Sequence, residues 1–453
     1  MPCANQNFVV VSKIYIMILE CTIEKLVFGG QALGHVDGQA VFVWNALPGE
    51  IVKVEVINKK RGVIFGRAIK ILKASPQRVL PQEDHYLSCS PWQIMDAALE
   101  NEWKGKIAAE GFSRLAKIDL PNTQVIADDR LFGYRNKMEY SFWEENGRIQ
   151  LAFFERGKKH KFPIDVCALA APEINVKAAE IVDWLNQIKA TRQQVKSLIL
   201  RSAGKTVIAG LFVTDRSWSC QPCEGRDLCD SNYCIDSRLR GNDKVSNLQI
   251  FYSDRRSPAS RPDALLYLQG EMVLTEKLLG KTLTYGLQSF FQINPLLFTL
   301  ALESIAKFLN QDTVVDFYSG VGAISIALAD KIKQAILVES EPEAAKFAAH
   351  NVKFNNLNNF TVLTGPAEKL REEIKSDRLI IFDPPRAGLH PKIITQLLEV
   401  KPPRIIYLAC DLATQARDVA LLSTNYKLIF NELYNFFPRT PHMESLVVLE
   451  AGG

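Results

Sequence analysis

Val315-Asp316-Phe317-Tyr318-Ser319-Gly320-Val321-Gly322-Ala323 is the stretch on which the fold turns. It reads as the end of an apolar strand, a tight glycine turn and the start of a helix. Glycine there lets the backbone come close to a ligand. Working outward, strand-like Thr313–Phe317 precedes a helical pattern over Ala323–Asp330. Strand Ala335–Val338 and helix Pro342–Asn355 follow, then strands Leu379–Phe382 and Ile405–Ala409 and a last strand near Ser445–Leu449. Strands alternating with helices at this spacing predict an α/β domain with a parallel, doubly wound, Rossmann-like sheet over residues 286–453.

The glycine turn alone is a weak signal, and a nucleotide dehydrogenase would carry a similar one. Two further residues narrow the reading. The next strand ends in Glu339, where a carboxylate can accept both hydroxyls of a ribose. The third glycine of a dinucleotide fingerprint is missing, because Ser325 stands beyond Ala323-Ile324. A cofactor without a pyrophosphate therefore fits better, and S-adenosylmethionine is favoured over NAD.

Three candidates for chemistry lie at predicted strand ends. Asp383 opens Asp383-Pro384-Pro385-Arg386, with prolines that lock the turn. Enzymes that methylate exocyclic amines use a related arrangement, but with an aromatic residue after the prolines where Arg386 stands here. Cys410 follows the apolar run Ile405–Ala409, and Glu444 opens the final strand, with His442 as a competing base. A thiol and a base beside a methyl donor suit a pyrimidine ring. Attack by sulfur on carbon 6 makes carbon 5 nucleophilic, and a base must later remove the carbon 5 proton. Taken singly, most cysteines are inert small apolar residues. Cys410 gains weight only in the company of Glu444, Asp383 and the Gly320–Gly322 loop.

The N-terminal half has a different character. Residues 17–75 alternate in short strands broken by Gly29-Gly30, Asp37-Gly38 and Leu47-Pro48-Gly49, and end in Lys59, Lys60, Arg61, Arg67, Lys70 and Lys73. Such a pattern predicts a small oligonucleotide-binding-type barrel, or equally an all-β domain with a solvated basic face. Residues 76–285 read as a mixed α/β central domain that opens with a helix over 96–117, expected to pack on the catalytic domain. A second basic stretch runs through Arg135, Lys137, Arg148, Arg156, Lys158, Lys159 and Lys161, interleaved with Tyr134, Tyr140, Phe142, Phe153 and Phe154. Aromatics and cations together suit RNA, although alternating aromatics in strands more often fill a core. Residues 219–246 form a polar insertion between two strands, with Cys220, Cys223, Cys229 and Cys234. Their spacing departs from that of structural zinc pairs, so no metal is assigned to them.

Composition sets the remaining limits. The chain has 453 residues, 47% of them apolar, and a net charge of +4. Two or three domains are expected, and a polyanionic partner is permitted but not required. No apolar run is long enough to span a membrane. Residues 1–16 read as an extension, with Met17 an alternative start to Met1. Nine cysteines without a secretory signal predict reduced thiols in the cytoplasm. A monomer is expected.

At this point five motifs in order resemble the RNA uridine-5-methyltransferases, which make 5-methyluridine in ribosomal and transfer RNA. They are Phe290-Phe291-Gln292-Ile293-Asn294-Pro295, the Asp316–Ala323 loop, Asp383-Pro384-Pro385-Arg386, Cys410–Asp418 and Phe437–Glu444. Residues 17–75 look like a TRAM domain, an RNA-binding barrel of the ribosomal-RNA branch. The resemblance implies a class I methyltransferase domain that uses S-adenosylmethionine on RNA, with ribosomal RNA favoured and transfer RNA the alternative. It makes Cys410 the nucleophile and Glu444 the proton acceptor, and puts Gln292, Tyr318, Gly320, Glu339 and Asp383 at the cofactor. A catalytically silent RNA-binding protein on the same scaffold and a cytosine methyltransferase acting on DNA are the other readings. Three departures stand out. The family's Cys-Asn-Pro is Cys410-Asp411-Leu412 here, and an adenine-binding Asp is replaced by Pro366. Many members hold a [4Fe–4S] cluster on four cysteines. Only Cys89 and Cys167 occupy those positions here, with Glu83 and Trp92 in the other two. The expectation is therefore that there is no cluster and no metal.

Overall fold

The computed structural model describes residues 17–156, 160–218, 245–257 and 260–452. The extension 1–16, Lys158, Lys159 and the four cysteines of the insertion lie outside the described residues. Contacts divide the chain into two compact units, residues 1–79 and 80–453.

The first unit is a closed five-stranded barrel in the order β1-β2-β3-β5-β4. Its strands are β1 (Ile18–Leu26), β2 (Ala32–Val36), β3 (Gln39–Trp44), β4 (Ile51–Lys60) and β5 (Val63–Lys73). Alternation with a period of two sends Ile23, Val41, Val43, Val52, Val54 and Ile64 inward, all buried. Lys53, Lys59, Lys60, Arg61, Lys70 and Lys73 remain exposed. Arg67 is different, because it donates to Glu55 at 3.0 Å. The end of the unit is tied by buried Glu50, which accepts from the Arg78 guanidinium at 2.6 and 2.8 Å.

The second unit opens with α1 (Tyr86–Cys89), α2 (Ala97–Leu115) and β6 (Val125–Ile126). Asp96 caps α2 by accepting from Leu99 N at 2.7 Å. A seven-stranded sheet follows, ordered β13-β12-β11-β10-β7-β8-β9. It comprises β7 (Lys137–Glu145), β8 (Arg148–Phe154), β9 (Lys161–Ile164), β10 (Val195–Ala203), β11 (Thr206–Val213), β12 (Leu248–Tyr252) and β13 (Ala264–Gln269). Helix α3 (Pro172–Gln187) covers one face, with Ile174, Ala178, Ile181 and Leu185 in the core. Strands β11 and β12, which flank the insertion, pair parallel to one another. Of the interleaved aromatics, Tyr134, Tyr140 and Phe142 are core residues. Phe154 is 59% exposed, with Lys161 Nζ 4.9 Å from its ring centroid, and is the one that keeps the character of a stacking platform.

A hairpin of β14 (Val273–Leu278) and β15 (Lys281–Gly286) leads to α4 (Pro295–Ala306). The last sheet contains β16 (Thr313–Phe317), β17 (Gln334–Glu339), β18 (Phe360–Thr364), β19 (Arg378–Phe382), β20 (Arg404–Ala409), β21 (Tyr426–Tyr434) and β22 (Glu444–Ala451). It also takes in β6, in the order β18-β17-β16-β19-β20-β22-β21-β6. Strands β16 to β20 are parallel, and β22 is antiparallel to β20. The connecting helices are α5 (Ala323–Ala327), α6 (Pro342–Phe354), α7 (Pro391–Val400) and α8 (Leu412–Leu422). From β16 the chain steps to β17 on one side and later returns to β19 on the other. That switch point opens a crevice at the carboxyl ends of the strands. Helix α2 packs against α8. Among the described residues, no helix is long and apolar enough to cross a membrane.

Candidate active site

The glycine turn folds as its residues require. Gly320 (φ +57°) and Gly322 (φ +85°) are left-handed, and Gly322 caps α5. Tyr318 is left-handed too, at φ +61°. An aromatic side chain pays strain in that region, and such outliers gather where a ligand is gripped. Glu339, at the end of β17, accepts from Gly320 N at 2.8 Å and from Glu341 N at 2.7 Å. Its carboxylate is thereby aimed across the turn, with lone pairs to spare. Beneath the turn, Asp316 accepts from Ser325 Oγ at 2.7 Å. Burial pushes the Asp316 carboxyl up to about 7.

Asp383 follows β19, on the other side of the switch point. Gln292 Nε2 donates to Asp383 Oδ2 at 3.3 Å. Burial first, and Asp316 second, push the Asp383 carboxyl up to about 7, against that hydrogen bond. Gln292 is held in turn by an element that sequence reasoning missed. Arg201 on β10 is fully buried and donates through Nη2 to Phe291 O at 3.0 Å and through Nη1 to Ser289 O. Asn136 Nδ2 donates to Gln292 O at 3.1 Å. The seven-stranded sheet thus holds the Phe290–Pro295 segment against the catalytic sheet.

Cys410 and Glu444 are brought face to face by register. Ala409 of β20 pairs with Ser445 of β22, so the next pair outward is Cys410 and Glu444. Burial, then Glu444 and Asp383, push the Cys410 thiol up to about 12, while Arg386 opposes them. Burial and Asp383 also push the Glu444 carboxyl well above the usual range. Its Oε2 is buried with no hydrogen-bond partner among the described residues. His442 is pulled the opposite way. Burial, then Arg386, Arg135, Lys104 and Arg156, bring its imidazole down to about 4.

The loop that carries Glu444 is clamped by a buried polar network. Lys104 Nζ donates to Glu100 Oε1 at 2.9 Å, to Asn435 Oδ1 at 2.5 Å and to Phe437 O at 3.2 Å. Arg439 N donates to both oxygens of Glu100, and Arg439 Nη1 to Met95 O at 2.6 Å. Nothing in the local sequence of α2 singles out Glu100 and Lys104, because an i, i+4 Glu–Lys pair is ordinarily an exposed helix pair.

The departures at 411 and 412 are compatible with a helix start. Asp411 caps α8 by accepting from Thr414 N at 3.0 Å, and Leu412 takes the first helical position. Asp and Asn are equivalent caps. Pro366 precedes a short 3₁₀ turn and brings neither an N–H nor a polar side chain to the cofactor side of the sheet.

The residues present fit an adenosyl cofactor without phosphates. A glycine turn, the Glu339 carboxylate and the Gln292–Asp383 pair lie at the carboxyl ends of neighbouring strands. Ser319 Oγ is also buried without a partner among the described residues. They do not fit a [4Fe–4S] cluster. Cys89 and Cys167 do lie together, but the third cysteine position is the fully buried Trp92. The neighbours of the two thiols are instead Glu83 and His85, with all four ligand atoms within 4.8 Å of one another.

Comparison with known proteins agrees with this geometry. Residues 267–452 match the tRNA (uracil-5-)-methyltransferase family, and residues 18–69 match the TRAM domain. An uncharacterized RNA methyltransferase of Lactobacillus johnsonii is 29% identical over 96% of this chain and 98% of its own. One from Halalkalibacterium halodurans is 27% identical over 96% and 97%. Among solved structures, the tRNA (uracil-54, C5)-methyltransferase of Pyrococcus abyssi, in complex with S-adenosyl-L-homocysteine, superposes with a TM-score of 0.71 at 22% identity. That match covers 95% of this chain and 100% of the archaeal one, and it shows a shared fold.

Proposed function

We propose that this chain, whose residues 267–452 match the tRNA (uracil-5-)-methyltransferase family and residues 18–69 the TRAM domain, methylates carbon 5 of a uridine in RNA, through a covalent bond between Cys410 and carbon 6. The observation that carries this is the register of β20 against β22, whose outermost pair, Ala409 and Ser445, leaves Cys410 next to Glu444, with Asp383 near both. Gln292, Tyr318, Gly320, Glu339 and Asp383 would hold S-adenosylmethionine. When bound, it supplies the electrophilic methyl group that carbon 5 accepts.

The chain's own residues do the rest. Cys410 Sγ gives its proton to solvent and bonds to carbon 6, the carbon 5–carbon 6 double bond opens, and the ring electrons move onto the carbon 4 oxygen as an enolate. The Arg386 guanidinium, which faces the thiol, favours the thiolate over the thiol. Once carbon 5 bears its methyl group, Glu444 takes the remaining carbon 5 proton. The carbon 5–carbon 6 double bond re-forms, the bond to sulfur breaks and Cys410 leaves as thiolate. Glu444 suits this better than His442, because a carboxylate with a raised pKa is a stronger base than an imidazole held near 4.

Ribosomal RNA is the favoured substrate, on the strength of the TRAM-like barrel and its exposed cations, and the protein acts as a monomer in the cytoplasm. Transfer RNA is the second reading, favoured by the description of the matching family. Deleting the gene and mapping 5-methyluridine in total ribosomal and transfer RNA tests both. Loss at one ribosomal position is expected. Loss at a transfer-RNA position would transfer the assignment, and an unchanged map would sink the activity.

A further inference from the structure

Four side chains outside the catalytic crevice converge in a pattern that the chemistry described so far does not use. Glu83 and His85 precede α1, Cys89 ends it, and Cys167 follows β9. One ligand atom from each lies within 4.8 Å of the others. All four are buried or nearly so, and the two thiols are not joined as a disulfide. His85 Nε2 is buried between Glu83 Oε1, 3.2 Å away, and the Cys167 thiol, and neither contact has the geometry of an ordinary hydrogen bond.

We propose that Glu83, His85, Cys89 and Cys167 bind one tetrahedral divalent metal ion, zinc by the nature of the ligands. Two thiolates, one imidazole and one carboxylate are a donor set that zinc accepts, at about 2.0–2.3 Å from each atom. Around such an ion the ligand atoms would stand roughly 3.3–3.8 Å apart, so a contraction of about an ångström closes the shell. Binding releases to solvent the two thiol protons and the second imidazole proton of His85, which, against burial, Cys167 and Glu83 favour in the metal-free protein. Arg135 and Arg156 face Cys89 and offset the charge of a two-thiolate, one-carboxylate site.

The surroundings are built to aim these ligands. Gln93 Nε2 donates to Glu83 Oε2 at 2.9 Å and to Ser90 Oγ at 2.6 Å, and Ser90 Oγ lies 3.0 Å from Cys89 Sγ. Ala168 N donates to Glu83 Oε1. Asn175 clasps the backbone of Cys167 on both its N–H and its carbonyl, at 3.1 and 3.0 Å. Such outer contacts orient ligands at metal sites. The site also touches the catalytic loop. Trp92 N donates to Arg439 O at 3.1 Å, and Tyr134 Oη donates to Pro438 O at 3.0 Å. An ion here would brace the segment that carries Glu444.

The test is elemental analysis of the full-length protein, purified without chelator. One zinc per chain is expected. Replacement by cobalt should give the visible bands of a tetrahedral ion with thiolate-to-metal charge transfer. Cys167→Ser and His85→Ala should each lower the metal content by at least about tenfold. A chain with Cys220, Cys223, Cys229 and Cys234 all changed to Ser should keep its ion. Should the ligand variants fail to fold, chelator-stripped wild type serves instead, and returning zinc should raise its melting temperature. Iron with acid-labile sulfide, less than about a tenth of an ion per chain in the wild type, loss of the ion in the four-serine chain, or a melting temperature indifferent to zinc would each overturn the proposal.

Discussion

Cys410 and Glu444 have opposite duties and are perturbed in the same direction. Both must be deprotonated to act, and both are held above their ordinary values by burial and by neighbouring carboxylates. The turnover rate should therefore rise with pH through neutrality and into the alkaline range. Falling pH should silence the enzyme well before ordinary carboxylates protonate. A rate under single-turnover conditions that is flat from pH 6 to 9 would contradict this. His442, already neutral across that range, should leave the profile unchanged when replaced by Ala. Glu444→Gln separates the two halves of the reaction. Addition of Cys410 to the ring remains open to it, but release does not. A protein–RNA adduct that survives denaturing electrophoresis should accumulate, while product falls by on the order of a hundredfold or more. Free RNA and no adduct in that variant would remove Glu444 from the release step.

At the scale of elements, one helix cap and one docked helix hold the site. The Asp411 side chain closes the first turn of α8 and thereby sets the backbone just after Cys410. Asp411→Asn should be nearly silent, whereas Asp411→Ala should cost about 1 kcal/mol in denaturant unfolding. The second device is the docking of α2. Lys104→Met takes from buried Glu100 its nearer cation and leaves only the Arg439 guanidinium, 3.7 Å away, so the variant should cost a few kcal/mol, at most the roughly 3–5 kcal/mol of a fully broken buried pair. Glu100 also receives the backbone N–H of Arg439, so the same variant should loosen the Glu444 loop and lower kcat more than it raises KM. Restored stability in the Glu100→Gln, Lys104→Met double variant would show that the unpaired charge was the cause.

For the molecule as a whole, two units divide the labour. The barrel encloses its own core and displays Lys59, Lys60, Arg61, Lys70 and Lys73. If these contact RNA phosphates, changing all five to Gln should weaken binding across sequences and reduce the salt dependence, by roughly 0.7 per lost contact on a logarithmic plot. The unfolding of residues 80–453 should be unaffected. An unchanged salt slope, measured by RNA binding from low to moderate salt, would place the phosphate contacts elsewhere.

The glycine turn, Glu339, Asp383 and the strand ahead of Cys410 were legible because each carries a local signature. Periodicity marks the strand, missing side chains mark the turn, and an acidic residue sits at a fixed place in a βαβ unit. The ends of β16, β17, β19 and β20 accordingly lie within a residue of where hydrophobic patterning puts them, whereas β18 carries no pattern that marks it beforehand. What sequence could not supply was anything set by register or by distant chain. Cys410 faces Glu444 only because β22 runs antiparallel in one particular register. Arg201 looks like any basic strand residue until three carbonyls surround its guanidinium. His85 sits off the four-cysteine spacing, so counting cysteines leaves two thiols and no site. Only the packing of α1 against the turn after β9 adds an imidazole and a carboxylate to them. Local chemistry determined which residues could react or bind. Tertiary structure decided which of them meet, because burial and cross-strand pairing depend on residues tens to hundreds of positions apart.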